Sequence, residues 1–390
     1  MDRSLIRLFA AAALAVSAGS GATAQDVDSL ITRFAVGYLT YVPGATAEIK
    51  SSQPAESQVG PYLAMTVVRS SLQKEKSPEQ LNLLVDPKAK LAAVGMVFPL
   101  PQVQPAVTAD TLPAYVEQVL PQLLRQLLAA GVRVRWPGIP TRLGPVVPLQ
   151  AEVASGYGTM RMPIAISADA RWLVLGGTWP LDRDPRAVRR EILASVPIEW
   201  DPGHEGAVVK VVEFSDYQCP ACKRGWQTLR PALDSFGEKV RHGMVNWPIP
   251  SSHPWAFKAS AGAVCVANLA PGLLLDFKDE MYRLQDTTTL DTVDAAVFAF
   301  VATRGLDEQA FRACYMKDQA LEKVLRQMEF GYRLGVTGTP TYFANGEAIP
   351  WWSTDWATRR IQAIAAAGGK PENAPDITLA APAPEPPPSR

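Results

Sequence analysis

The chain has 390 residues, 47% of them apolar, enough to fill the cores of two ordinary domains. Lysine plus arginine balance aspartate plus glutamate at 38 each. Whole-chain charge therefore argues against a nucleic-acid partner and against an anionic surface. At the N-terminus, Arg3 and Arg7 precede the apolar run Leu8 to Val16, and small residues follow, ending Ala22-Thr-Ala24. A positive start, an apolar run too short to span a bilayer and an A-x-A site form the pattern of a secretory signal. Residues 1–24 are expected to be a signal peptide cleaved after Ala24, which predicts a periplasmic protein in a compartment where disulfides persist.

Residues 25–198 read as an α+β domain. Strand-like runs cover Tyr62 to Val68, Leu81 to Val85, Lys90 to Phe98 and Trp172 to Leu175. Leu112 to Ala130 has apolar residues at helical spacing, with Pro121 placed to kink or split the helix. A basic-faced helix is expected over Asp184 to Ser195. The domain holds neither histidine nor cysteine and carries no catalytic motif. Proline and glycine then break the pattern, so residues 199–206 are expected to be a linker.

Beyond the linker, Val208 to Phe214 is a β-branched run suited to a buried central strand. Cys219-Pro-Ala-Cys222 opens a helix reaching Leu233, with Pro220 in its first turn. Val240 to Trp247 is a second strand. Helices are expected over Trp255 to Leu269, Leu273 to Leu284, Leu290 to Arg304, Asp307 to Met316 and Gln319 to Leu334. Thr341 to Ile349 is a hairpin signalled by Asn345-Gly346, and Ser353 can cap a last helix. Residues 368–390, rich in proline and alanine, are expected to be a disordered tail.

The four cysteines are Cys219, Cys222, Cys265 and Cys314. A CxxC pair admits three readings: metal ligands, an inert bridge, or a redox pair. Structural zinc needs four ligands, and no second CxxC or histidine pair accompanies this one; His204, His242 and His253 are isolated. At a helix N-terminus the unsatisfied N–H groups and the dipole favour thiolate over thiol. The first cysteine of such motifs titrates between about 3.5 and 7.5. Cys219 is then the nucleophile, and Cys222, one turn on, resolves a mixed disulfide. Pro220 and Ala221 stiffen the loop between them without adding charge.

Residues 207 to 367 resemble the DsbA-like branch of the thioredoxin superfamily, exported thiol-disulfide oxidoreductases with a helical domain inserted into a thioredoxin fold. The resemblance rests on Val212-Glu-Phe-Ser-Asp-Tyr-Gln-Cys-Pro-Ala-Cys222, on His253-Pro254 before an alanine-rich helix containing Cys265, on Phe311-Arg-Ala-Cys314, and on Leu334-Gly-Val-Thr-Gly-Thr-Pro-Thr-Tyr-Phe343. It implies an α/β thioredoxin fold with a helical insertion at about 254–335. It also implies that Pro340 is a cis-proline facing the cysteines, with the Thr339 backbone free to pair with an extended substrate. Glu213 would be the family's buried acid; apolar neighbours would raise its pKa and let it take the Cys222 proton. Cys265 and Cys314, a pair that recurs in relatives, would form a structural disulfide adding about 3–4 kcal/mol. With Pro-Ala between the cysteines, the histidine of the strongest oxidants is missing, which predicts a less depressed Cys219 and a less oxidising disulfide.

The expected partners are cysteine-containing exported proteins and a membrane or soluble redox partner, with neither metal nor other cofactor. A homodimer through the N-terminal domain suits the alternative, a DsbC- or DsbG-like isomerase, because Ile166 to Leu181 faintly resembles the linker-proximal strands of that group. A non-redox chaperone that binds unfolded chains is the rival from another class. Trp351, Trp352 and Trp356 fit either an exposed substrate patch or an interior. His253 is expected to end a loop.

Overall fold

Apolar residues at Val27, Ile31, Phe34, Ala35 and Tyr38 share one face of a helix, and α1 (Ala24–Tyr38) lays that face on a β-sheet. The computed structural model describes residues 24–57, 60–70, 79–101, 106–108, 110–128, 131–135 and 144–377. The expected signal peptide, apart from Ala24, and residues 378–390 of the expected tail lie outside the described residues.

The sheet is built from β1 (Thr46–Ser57), β2 (Gly60–Ser70), β3 (Glu79–Asp86) and β4 (Leu91–Pro99), joined by β5 (Gly131–Arg135), β6 (Val146–Ser155), β7 (Gly158–Ser167) and β8 (Trp172–Pro180). These eight strands are antiparallel throughout, in the order β1-β2-β3-β4-β8-β7-β6-β5. Between β4 and β5 lie α2 (Leu112–Gln118) and α3 (Leu120–Leu128). The break falls before Pro121, which takes the first turn of α3, where a missing N–H is tolerated. Helix α4 (Pro185–Leu193) follows β8, capped by the Asp184 carboxylate accepting from the Arg186 N–H.

Ile166 to Leu181 contributes strands, the end of β7 and all of β8, which occupies the middle of the eight-stranded sheet between β4 and β7. The expected linker 199–206 also contributes structure, because β9 (Glu199–Trp200) pairs with the second sheet, and Lys323 Nζ sits 2.7 Å from the buried Glu199 carboxylate.

The second sheet has five strands, β13-β12-β10-β11-β9. At its centre, β10 (Val209–Ser215) runs parallel to β11 (Val240–Asn246) and antiparallel to β12 (Thr341–Ala344). β13 (Glu347–Ile349) completes the hairpin. Only Lys210 of β10 is exposed, as expected of a strand covered on both faces. Helix α5 (Pro220–Asp234) connects β10 to β11. The insertion between β11 and β12 comprises α6 (Ala256–Leu269), α7 (Leu274–Leu284), α8 (Val293–Thr303), α9 (Glu308–Tyr315) and α10 (Asp318–Leu334); α11 (Thr354–Ala366) closes the domain. Cys265 of α6 and Cys314 of α9 are joined by a disulfide.

The two sheets are locked together. Helix α10 packs on β7 and β8 as well as on α6. It ends at Gly335 (φ 79°), where a Cβ would lie 1.7 Å from the Tyr38 hydroxyl, so only glycine allows this approach. Buried Arg189 of α4 donates to the Tyr38 carbonyl (2.6 Å) and the Gly346 carbonyl (3.0 Å). Glu347 receives both Arg186 (3.2 Å) and Arg360 (2.6 Å).

The tail expected from residue 368 is ordered as far as Ile377. Arg360 donates to the carbonyls of Pro371, Ala374 and Pro375, and Glu372 pairs with Arg190. Composition alone did not reveal these arginine partners.

The disulfide closes a separation of 49 residues. Replacing both Cys265 and Cys314 by Ala is expected to lower unfolding free energy by about 4 kcal/mol on chain entropy alone, read as a lower urea midpoint with the slope fitted separately, since the unfolded chain is no longer cross-linked. An unchanged midpoint would deny the bridge a stabilising role.

Candidate active site

The segment between β10 and α5 is organised by one buried carboxylate. Asp216 Oδ1 accepts from the N–H groups of Gln218 (2.7 Å) and Cys219 (3.2 Å), while Oδ2 accepts from the Ile249 N–H (2.9 Å) and lies 2.8 Å from His253 Nδ1. Gln285 donates to the carbonyls of Tyr217 (2.8 Å) and Cys219 (3.1 Å). The turn is therefore fixed before the helix starts. Cys219 is the N-cap residue of α5, with extended backbone angles, and its carbonyl accepts from the N–H groups of Cys222 (3.1 Å) and Lys223 (3.2 Å).

The two thiols are unequal. Cys219 is 7% exposed and Cys222 fully buried. The Cys222 thiol beside it, helped by Thr339 and the N–H groups of Ala221 and Cys222, overcomes burial and brings Cys219 from 9.0 down to about 6. Burial, reinforced by the neighbouring Cys219 sulfur, pushes Cys222 well up. One sulfur is thus an anion at neutral pH and its partner a thiol. Of the residues between them, Pro220 is exposed and Ala221 half-buried. Lys223 turns away to pair with Asp286 at 2.8 Å.

The Cys219 sulfur lies 3.5 Å from the Thr339 carbonyl, and the Thr339–Pro340 peptide is cis. Helix α5 reaches Pro340 because position 225 is glycine: a Cβ there would sit 3.2 Å from the Pro340 ring and 3.4 Å from Trp351. Trp351 and Trp352 are half-buried and meet edge to face, so they form neither a wholly exposed patch nor core.

Glu213 is buried in the middle of β10, but its expected raised pKa is wrong. Burial pushes the carboxyl up, yet Lys278 and His242 outweigh it and hold Glu213 down near about 2. Lys278 Nζ stands 2.7 Å from Oε2 and His242 Nε2 3.3 Å from it. The Lys278 charge is the largest of the effects that lower Glu213, and the His242 side chain is the next. Burial lowers the pKa of His242, and Arg230, which can only donate, faces its Nδ1 at 3.2 Å. The imidazole proton is therefore on Nε2, towards Glu213.

Five participants escaped the sequence reading: Lys278, Asp216, Gln285 and the roles of His242 and His253. Lys278 had a signal: it sits in the apolar stripe Leu274, Phe277, Met281 and Tyr282 of α7, where a lysine requires a partner. His253 does more than end a loop, since its Nδ1 lies 2.8 Å from Asp216 Oδ2, a pairing that raises its pKa, with the nearby Cys219 adding to the rise. Cys265 and Cys314 stand apart in the helical insertion as the bridge. Among the described residues no group of three His, Cys, Asp or Glu side chains is placed to hold a metal ion.

Because the folded pKa of Glu213 is depressed, its contribution to stability is complete above about 4.5 and lost as pH falls towards about 2. Lys278→Met should cost about 3–5 kcal/mol at neutral pH by stranding that charge. Adding Glu213→Gln should recover most of the loss in urea denaturation. Additive losses would show that the two groups do not act as a pair.

Comparison with known proteins locates the same region. A family model described as Thioredoxin matches residues 199–361. The Na(+)/H(+) antiporter NhaA 3 of Salinispora tropica is 26% identical over 155 residues, which are 39% of this chain and 23% of the antiporter. The chain thus spans about a quarter of that relative's length, and among the described residues no helix is long and apolar enough to cross a membrane. The "Probable disulfide bond formation protein D" of Bacillus anthracis is 27% identical over 150 residues, 37% of this chain and 68% of that protein. The crystal structure of oxidised BdbD from Bacillus subtilis aligns at 20% identity and a TM-score of 0.39, covering 42% of this chain and 90% of that one. The thioredoxin match covers the second sheet and the five helices set between β11 and β12, so residues 199–361 of this chain are similar to the thioredoxin family.

Proposed function

We propose that the protein is an exported thiol-disulfide oxidoreductase that exchanges disulfides with cysteines of other exported proteins through Cys219 and Cys222. The observation that carries the reading is the contrast within the pair: a sulfur at about 6 facing Thr339 beside Pro340, and a buried partner pushed well up.

In the oxidising direction, a substrate thiolate attacks the Cys219 sulfur of the Cys219–Cys222 disulfide. That bond breaks, a substrate–Cys219 bond forms, and Cys222 leaves as a thiolate and takes up a proton. A second substrate thiolate attacks the first substrate sulfur and expels the Cys219 thiolate. The substrate has lost two electrons and the protein has gained them. A redox partner carrying a disulfide or a quinone removes them again. Expulsion is favoured because the anion at 219 is stabilised.

Glu213 cannot relay the proton as a neutral acid in the resting site, since its carboxyl titrates near about 2. The relay proposed instead is the Glu213–Lys278 pair, with Lys278 also feeling the charge of Cys222. Thr339 and Pro340 hold the substrate backbone beside the sulfur. A value of about 6 falls between thioredoxin at about 7 and DsbA at about 3.5, which supports a moderate oxidant and fits the Pro-Ala loop. The Arg3-to-Ala24 pattern supports export to the periplasm. Oxidation is preferred to isomerisation because the second half follows the DsbA-like order of strand, CxxC helix, strand, helical insertion, hairpin and helix.

Cys222→Ala is expected to accumulate mixed disulfides with reduced, unfolded protein substrates, visible as thiol-sensitive adducts on non-reducing gels. Cys219→Ala should form none and turn nothing over. If Cys219→Ala kept its effect on unfolded clients, the function would be that of a chaperone.

A further inference from the structure

Residues 24–200 hold neither histidine nor cysteine, yet they supply about half of the residues lining a cleft that reaches Thr339 and Pro340. The cleft has a volume of about 540 Å³, within the range of sites that enclose a ligand. Leu39, Gln80, Asn82 and Met96 line it from the first domain, and Thr339 and Trp351 from the second. A smaller cavity of about 190 Å³ adjoins it, sharing Val94 to Met96, Gly335 and Thr337, with Trp247, Ile249 and Tyr332 among its walls. Met96 borders both. It lies on an interior strand of the sheet and is nevertheless 46% exposed.

We infer that the N-terminal domain is the second jaw of the substrate site, clamping an extended polypeptide segment along Thr337–Thr339 so that a bulky apolar residue close to its cysteine enters the smaller cavity. The inference rests on the proposed thiol-disulfide exchange. Three points select a polypeptide. Thr339 and Pro340 line the larger cleft, and the Thr339 carbonyl lies 3.5 Å from the Cys219 sulfur, so an occupant passes within about one residue of the thiol. The smaller cavity is walled chiefly by carbon, through Trp247, Ile249, Tyr332 and Leu175, and rewards an apolar group. An extended chain rises about 3.3 Å per residue and alternates its side chains. A cysteine and an apolar neighbour one to three positions away can therefore occupy the two places together. Small thiols such as glutathione reach the sulfur without needing the first domain.

The test compares two substrates of the full-length protein: a reduced, unfolded protein and glutathione. Met96→Asp puts a charge at the junction of the two cavities, on a half-exposed side chain whose change leaves the core intact. It should lower kcat/KM for the protein substrate about tenfold relative to glutathione, the factor for losing one apolar contact. Met96→Leu should restore the ratio. No change in the ratio, or a shift in solution mass on Met96→Asp that marks this face as a contact between copies, would overturn the inference alone. Failure of the unaltered protein to exchange with either substrate would overturn this inference and the proposed function together.

Discussion

The site depends on holding one sulfur as an anion where a helix begins, while its neighbour remains a thiol. Cys219 caps α5, receives the Cys222 thiol and sits against the Thr339 carbonyl. Each partner is fixed by something else. Asp216 sets the turn before the helix, Gly225 lets the helix approach Pro340, and the buried trio of Glu213, Lys278 and His242 lies beneath it. A thiolate so stabilised is a good leaving group, and the same stabilisation makes the reduced form the favoured one. Because the folded pKa is depressed, Cys219 favours the reduced fold fully above about 9 and loses that contribution as pH falls through about 6.

The first sheet and its helices act on this site mechanically. Arg189 ties the carbonyls of Tyr38 and Gly346 together and stacks on the rings of Tyr38 and Phe343, each 4.8 Å away. Phe343 belongs to β12, which directly follows Pro340. A cation buried between two domains, with carbonyl partners on both of its terminal nitrogens and aromatic rings against it, resists relative motion, since separation would strand it. The cleft between the domains is thus held at a set width. A wall of fixed geometry can select among substrates in a way that a loosely tethered domain cannot.

Much of the thioredoxin half was legible from local pattern. β-branched residues marked β10, Asn345-Gly346 marked the hairpin, and apolar periodicity placed the five inserted helices within a few residues of where they fold. The cysteines were readable because their chemistry lies in adjacent positions. What pattern could not give was anything produced by residues distant in sequence. Glu213 looked apolar in its surroundings because only strand neighbours were visible; Lys278, on α7, reverses its titration. His253 is 37 positions from Asp216 and joins it through the fold alone. In the first domain, α1 and the strands β1, β5, β6 and β7 escaped recognition, β1 because its burial pattern is mostly exposed and the others because much of their burial comes from residues distant in sequence. Residues 368–377 look disordered by composition and are ordered by arginines elsewhere.

The most direct test is a pH titration of thiolate absorbance in the reduced protein, with Cys219→Ala as the blank. The account predicts a single ionisation at position 219 with a midpoint near about 6, moving upward in Cys222→Ala because the neighbouring thiol is the largest stabilising contact. A midpoint near that of free cysteine, about 8.5, in the unaltered protein would contradict it.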